Sequence, residues 1–234
     1  MNAILKREFL SYFSSPIGYI VMAAFFAFGG FYFYMTCLVS NSANISYTFS
    51  NLFIITIFLI PILTMRLFSE EKKQQTEVAL LTAPVKLTAV VFGKYLAAIF
   101  MFFICISITL VFTVVISFFT KPDLASALGN FLGLFLLSAS LISIGLFLSS
   151  ITENQIIAAI SSIGAGLFIM LFDTLSNVIP VKFVSTLFQK ISFMSRYNNF
   201  TLGMLNLSDI VFFLSVCALF IFLTVRVFEK KRWA

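Results

Sequence analysis

Long apolar stretches alternate along this chain with short polar ones, and the charged residues cluster in the polar ones. No Asp, Glu, Lys or Arg occurs between Glu8 and Arg66, Lys94 and Lys121, Asp123 and Glu153, or Glu153 and Asp173. A charge at the centre of a bilayer costs at least ~2.5 kcal/mol, so crossing segments exclude it and their connections collect it. A crossing helix needs roughly 20 residues to span about 30 Å of hydrocarbon. The first gap therefore holds two spans, parted by the uncharged polar run Ser40 to Ser50, and each later gap holds one. The pattern predicts helices at about 17–39, 52–65, 95–119, 128–148, 155–172 and 210–225, in a single membrane domain over 1–234. The predicted fold class is an all-α membrane protein with six transmembrane helices.

The connections carry their own patterns. Leu5, Phe9, Tyr12 and Phe13 recur at helical spacing with Lys6, Arg7 and Glu8 turned elsewhere, which predicts an N-terminal helix lying on the membrane surface. The stretch 17–39 is too long for the apolar core of a cleaved signal peptide, so it is taken as the first span. Pro122 marks a turn after the third span, and Ser149 to Asn154 forms a short link between the fourth and fifth. Between the last two spans, Val184, Leu187, Phe188, Ile191 and Met194 form an apolar stripe opposed by Lys182, Ser185, Gln189 and Lys190. Two placements fit this external segment: flat on the outer surface, or re-entrant among the spans. The last span is short unless Asp209 and Arg226 reach out to the two interfaces, and Lys94 is expected to snorkel at the membrane edge.

Composition agrees with a hydrocarbon solvent: 61% of the 234 residues are apolar and 10% are charged. The distribution of cations then orients the chain. With both termini inside, Lys6, Arg7, Arg66, Lys72, Lys73, Lys86, Lys94, Arg226, Lys230, Lys231 and Arg232 all fall on the cytoplasmic side. Only Lys121, Lys182, Lys190 and Arg196 fall outside, as the positive-inside bias requires of a multi-pass protein of the bacterial cytoplasmic membrane. Anionic lipid headgroups account for the net charge of +6, and no nucleic-acid partner is expected.

Chemistry is sparse. There is no His, and Cys37, Cys105 and Cys217 stand apart in apolar runs, where a cysteine is a small packing residue. No metal site and no enzyme are expected. A P-loop is missing too: the only Gly-Lys pair, Gly93-Lys94, is followed by Tyr95, with Thr88 where the first Gly belongs. The 32 Phe residues fit either an aromatic-lined path for a lipid-like cargo or ordinary lipid-facing surface.

The segment Thr64 to Leu96 is the most informative. Arg66 ends the second span, Glu70, Glu71, Lys72 and Lys73 follow, and Val78, Leu80 and Leu81 supply an apolar side before Pro84. This predicts a short amphipathic helix outside the membrane, its charges satisfied by solvent or by a protein partner. The segment resembles the first cytoplasmic loop of the ABC-2 type permeases, the membrane subunits of a class of ATP-driven exporters. Thr64, Met65, Arg66, Glu70, Glu71, Leu80, Leu81, Thr82, Pro84, Gly93 and Lys94 stand in the matching places, while the usual Gly-Thr-x-Glu appears as Gln75, Thr76, Glu77, Val78. The runs SSPIGY at Ser14 to Tyr19, ENQI at Glu153 to Ile156 and FD at Phe172 to Asp173 are similar to the permeases of gliding-motility machinery.

The resemblance implies a coupling helix that docks on a separate ATP-binding cassette subunit, through Arg66, Glu70, Glu71, Lys72, Lys73, Thr76, Glu77, Leu80 and Leu81. Glu153 and Asn154 would supply a second, minor contact. It places ATP and Mg on that partner and no cofactor in this chain. It also implies a second permease protomer, identical or related, and export across the membrane; the alternative is a mechanical part of an envelope machine, with an extracytoplasmic accessory protein and no cargo. Gly129 with Gly133, and Ala158 with Ser162 and Gly166, form small-residue faces that suit packing between protomers or within one.

Overall fold

A computed structural model describes residues 2–76, 86–119, 123–178 and 191–233, and these are helical, with no strand among them. Helix α1 (Asn2–Ser14) leads into α2 (Pro16–Phe33), which a π-helical stretch, Tyr34–Val39, extends. Then follow α3 (Ser46–Thr64), the short α4 (Ser69–Lys73), α5 (Leu87–Ser117), α6 (Leu124–Ile151), α7 (Gln155–Val178), α8 (Phe193–Thr201) and α9 (Leu207–Trp233). Among the described residues, five stretches are long and apolar enough to cross a membrane: Pro16–Val39, Ser46–Lys73, Leu87–Ser117, Ala125–Ile151 and Leu207–Arg232. In α7 the apolar run is shorter, Gln155–Leu171.

Each predicted span falls on a helix, but several boundaries move. Helix α5 begins at Leu87 rather than near 95, because Lys94 does not end it, and α3 begins at Ser46 rather than near 52. Helix α9 likewise runs past both charges expected to bound it.

Helices α3 and α6 form the centre: 67% of each crossing window is buried, against 28% in α2 and α9. Helix α6 packs against α3, α5, α7, α8 and α9 because its sequence is rich in small residues. A Cβ on Gly133 would come within 2.6 Å of the Cβ of Phe200, and Gly145 leaves room for Thr64. Two of its mid-helix serines spend their hydroxyls locally, Ser140 on the Leu137 carbonyl at 2.7 Å and Ser143 on the Ser140 carbonyl at 2.6 Å, so they cross apolar surroundings satisfied. On α7, Ala158 and Ser162 are buried, and a Cβ at Gly166 would lie 2.7 Å from Ile57. Both small-residue faces thus serve packing within one chain.

Helix α8 covers part of the segment between the last two predicted spans. Tyr197 and Phe200 are fully buried, and the Tyr197 hydroxyl donates to the Phe49 carbonyl at 2.8 Å, so α8 is inserted among α3, α6 and α7 rather than laid flat. Residues 179–190 of that segment lie outside the described residues. Asp209 does not reach outward: it is buried and accepts from Arg196 at 2.7 Å and from Asn199 at 2.8 Å. Arg226 is exposed, as expected, and pairs with Glu229 at 2.8 Å.

The contacts sort the connections into two ends. Ser46 donates to the Thr201 carbonyl at 2.6 Å and lies 3.4 Å from Ser126, which gathers the α2–α3, α5–α6 and α8 connections at one end. At the other end meet α1, α4, the start of α5 and the C-terminal turns of α6 and α9, where Phe68 and Phe228 touch with ring centroids 4.5 Å apart. All eleven cations expected on the cytoplasmic side belong to this second end, and Arg196 belongs to the first.

Candidate coupling site

The site grows from the end of α3. Pro61 sits inside this helix, and Thr64 turns its hydroxyl back to the Ile60 carbonyl at 3.0 Å, which closes the last turn before Met65. Residues Met65 to Phe68 then form a turn that delivers α4. This short helix has orphan N-terminal amides, and its own preceding residue, Phe68, provides no side-chain cap. Ser149, from the far end of α6, supplies one instead. Its hydroxyl oxygen accepts from the Phe68 and Ser69 amides, both at 3.1 Å, and donates to the Met65 carbonyl at 3.2 Å.

The charges expected to face a partner divide into two sets. Arg66 grips Glu70 with two bonds, Nε to Oε2 at 2.7 Å and Nη2 to Oε1 at 2.9 Å, and donates a third to the Ser15 hydroxyl. Glu71 turns inward to Lys94 at 2.9 Å. Lys72, only 8% exposed, donates to the Ser150 carbonyl, so it anchors α4 instead of offering a free charge. Lys73, Gln74, Gln75 and Thr76 remain exposed, and Gln75 adopts a left-handed backbone with φ 57° where the chain leaves α4.

Lys94 does not snorkel. It is 2% exposed and shared between Glu71 and Glu8, the latter at 3.2 Å. The reason is α1, which packs against the first turns of α5 and so covers the lysine that a bare membrane edge would have left wet. Helix α1 is therefore a docked helix, with Arg7 bonded to Glu8 at 2.6 Å and to Glu71 at 3.3 Å. The Glu8 hydrogen bond raises the Arg7 guanidinium above its ordinary value, against partial burial, which lowers it. Tyr12 is buried and donates to the Leu63 carbonyl at 3.3 Å; its burial raises the phenol above its usual value.

Two clefts open at this end. One, of about 390 Å³, is lined by Arg7, Glu8, Tyr12, Arg66, Glu71 and Lys94. The other, of about 540 Å³, lies between Lys72, Lys73 and Gln75 on one side and Glu153, Asn154, Gln155 and Ile156 on the other. Asn154 caps α7 there, its side-chain oxygen accepting from the Ile156 amide at 2.9 Å. The two internal connections read separately in the sequence thus share one surface. Glu77, Leu80 and Leu81 lie outside the described residues. Sequence reasoning missed Ser149, Ser150 and Glu8 as parts of the site, because a serine at a helix end and a glutamate in a surface helix give no signal of distant partners.

The family model for ABC-2 family transporter proteins matches residues 39–227. The chain belongs to this family. The match runs through α3, α4 and most of α9, and it leaves out α1, α2 and all but Val39 of the π-helical stretch. No curated protein matches the chain. As an ABC-2 transporter protein with five helices fit to cross a membrane, it is an integral membrane protein and the membrane component of an ABC transporter. Ahead of the matched stretch, Ser15 caps α2 and Pro16 starts it, and Gly18 leaves room for the Tyr12 carbonyl.

Proposed function

We propose that this ABC-2 chain is a permease subunit that takes up motion from a separate ATP-binding cassette subunit through the cleft between Lys73, Gln75, Glu153 and Asn154, and couples it to export. The observation that carries this reading is the joining of the two internal connections at one exposed surface, tied through Ser149 and Lys72 to the ends of α3 and α6. A push on that surface is handed to α3 and α6, which form the packed centre. The requirement is thermodynamic: the partner must bind one permease conformation more tightly with ATP than without it, or nothing shifts.

In this reading α7 is the sixth span, the cation-rich end faces the cytosol with both termini, and the membrane is the bacterial cytoplasmic one. ATP and Mg reside on the partner, which also meets residues 77–81. A second protomer, a copy of this chain or a related subunit, completes the route. The exposed Lys73 and Glu153 supply the docking charges, whereas Glu71 and Lys72 hold the site's shape.

The test is co-purification with the ATP-binding subunit from cells expressing both. Reversing Lys73 and Glu153 together is expected to weaken the complex at least about tenfold and to change ATP turnover, with the permease still folded. Undiminished assembly and turnover would remove the docking assignment. Labelling of a cysteine at Gln75 by an impermeant reagent added to intact cells would overturn the orientation.

A further inference from the structure

Helix α1 lies outside the stretch matched by the family model, yet it is bound into the coupling end at several points. Lys94 Nζ stands 3.2 Å from Glu8 of α1, 2.9 Å from Glu71 of α4 and 5.1 Å from the centre of the Phe68 ring. At 2% exposure this cation has exchanged its water for those groups. Arg7 balances the second carboxylate, so two cations and two carboxylates meet across three segments. One residue earlier, a Cβ at Gly93 would come 3.0 Å from the Ile4 side chain, so the absence of a side chain lets α1 lie against α5. Tyr12 and Ser15 add bonds to Leu63 and Arg66.

We infer that Gly93 and Lys94 form a seat for the N-terminal helix, and that Lys94 is the positioning residue that joins α1, the coupling segment and α5 into one moving body. Lys94, 2% exposed and shared by half-buried carboxylates on two separate segments, cannot follow one and abandon the other without losing a partner that water does not replace, and this penalty makes the segments move together. Because α1 passes through Ser15 and Pro16 directly into α2, motion received at α4 then reaches α2 and α5 as well as α3 and α6. The transmission step rests on the coupling role proposed above. The seat itself does not.

The experiment has two arms on the full chain in lipid nanodiscs. In the first, without any partner, amide hydrogen exchange is followed over residues 4–13 in the wild type, Lys94→Met, Glu8→Gln and Lys94→Arg. Exchange in α1 is expected to rise by about tenfold or more in Lys94→Met and by less in Glu8→Gln, while α8 stays protected. Lys94→Arg keeps the charge and has the adjoining cleft to occupy, so it is expected to retain protection. Unchanged exchange in Lys94→Met overturns the seat. In the second arm, with the ATP-binding subunit, Lys94→Met is expected to lower ATP turnover several-fold at unchanged KM for ATP, with Lys94→Arg restoring it. Wild-type turnover in a Lys94→Met chain whose α1 has loosened overturns the positioning role. A partner that never binds the wild type would instead count against the docking cleft, with the first arm still deciding the seat.

Discussion

The hydroxyl of Ser149 accepts the backbone amide of Phe68 at 3.1 Å, so the end of α6 caps the helix that leaves α3. The same oxygen also accepts from Ser69 and donates to Met65, and it is fully buried. Two connections far apart in the chain are thereby held as one piece of structure.

Replacing Ser149 with Ala removes the only described cap on the α4 amides. The expected loss is about 1–2 kcal/mol of stability, in the range measured for lost helix caps and buried bonds. Thermal unfolding in detergent would register it as a lower midpoint, and exchange of the amides at 68–72 would speed up. An unchanged midpoint and unchanged exchange would mean that the cap is dispensable.

Gly133→Ala should be costly for its size. The added Cβ meets the Cβ of Phe200 at 2.6 Å, and α8 is too tightly packed to yield freely. A loss of about 1–3 kcal/mol is expected, as for other overpacked sites. Trimming Phe200 to Leu in the same chain should recover part of it, and a double-mutant cycle measures the recovery.

Asp209→Ala withdraws the carboxylate that receives Arg196 and Asn199 at the junction of α8 and α9. Because Arg196 keeps some solvent contact, the expected destabilisation is about 2 kcal/mol, below the range for a fully buried pair. Limited proteolysis between 191 and 206 should accelerate if α8 is released. Equal cleavage in variant and wild type would show that the Arg196 and Asn199 bonds do not hold it.

Tyr12 gives a pH test. Its folded phenol is raised by burial, so the stability it contributes is fully present below the unfolded pKa of about 10 and is lost as pH climbs beyond it. Wild-type unfolding midpoints are expected to fall between pH 9.5 and about 11. Tyr12→Phe should flatten this decline in part while lowering stability at pH 8 by about 1 kcal/mol through the lost bond to Leu63. Parallel curves for the two chains would remove Tyr12 from the alkaline transition.

Much of the architecture was legible in the chain. The uncharged gaps located each long helix, and breaks fall within Ser40 to Ser50 and Ser149 to Asn154, although α3 already starts at Ser46 and α6 runs on to Ile151; Pro122 lies outside the described residues. The helical spacing of Leu5, Phe9, Tyr12 and Phe13 located α1, though not its docking. The segment after α3 was legible as a charged cluster, yet the placement of its members was not: Lys72 and Glu71 turn inward, and Lys73 turns out. Nothing in a run of two acids followed by two bases distinguishes those outcomes, because each depends on what lies opposite.

Solvent is what the sequence determined by itself. Exclusion of charge from long stretches is a property of each segment alone, so it specifies lipid surroundings and the places where helices must end. Partnership was decided only in three dimensions, since a lysine within reach of two carboxylates is buried and one facing water is not. Lys94 belongs to the first kind because Gly93 admits α1 beside it, a consequence of packing between segments remote in the chain.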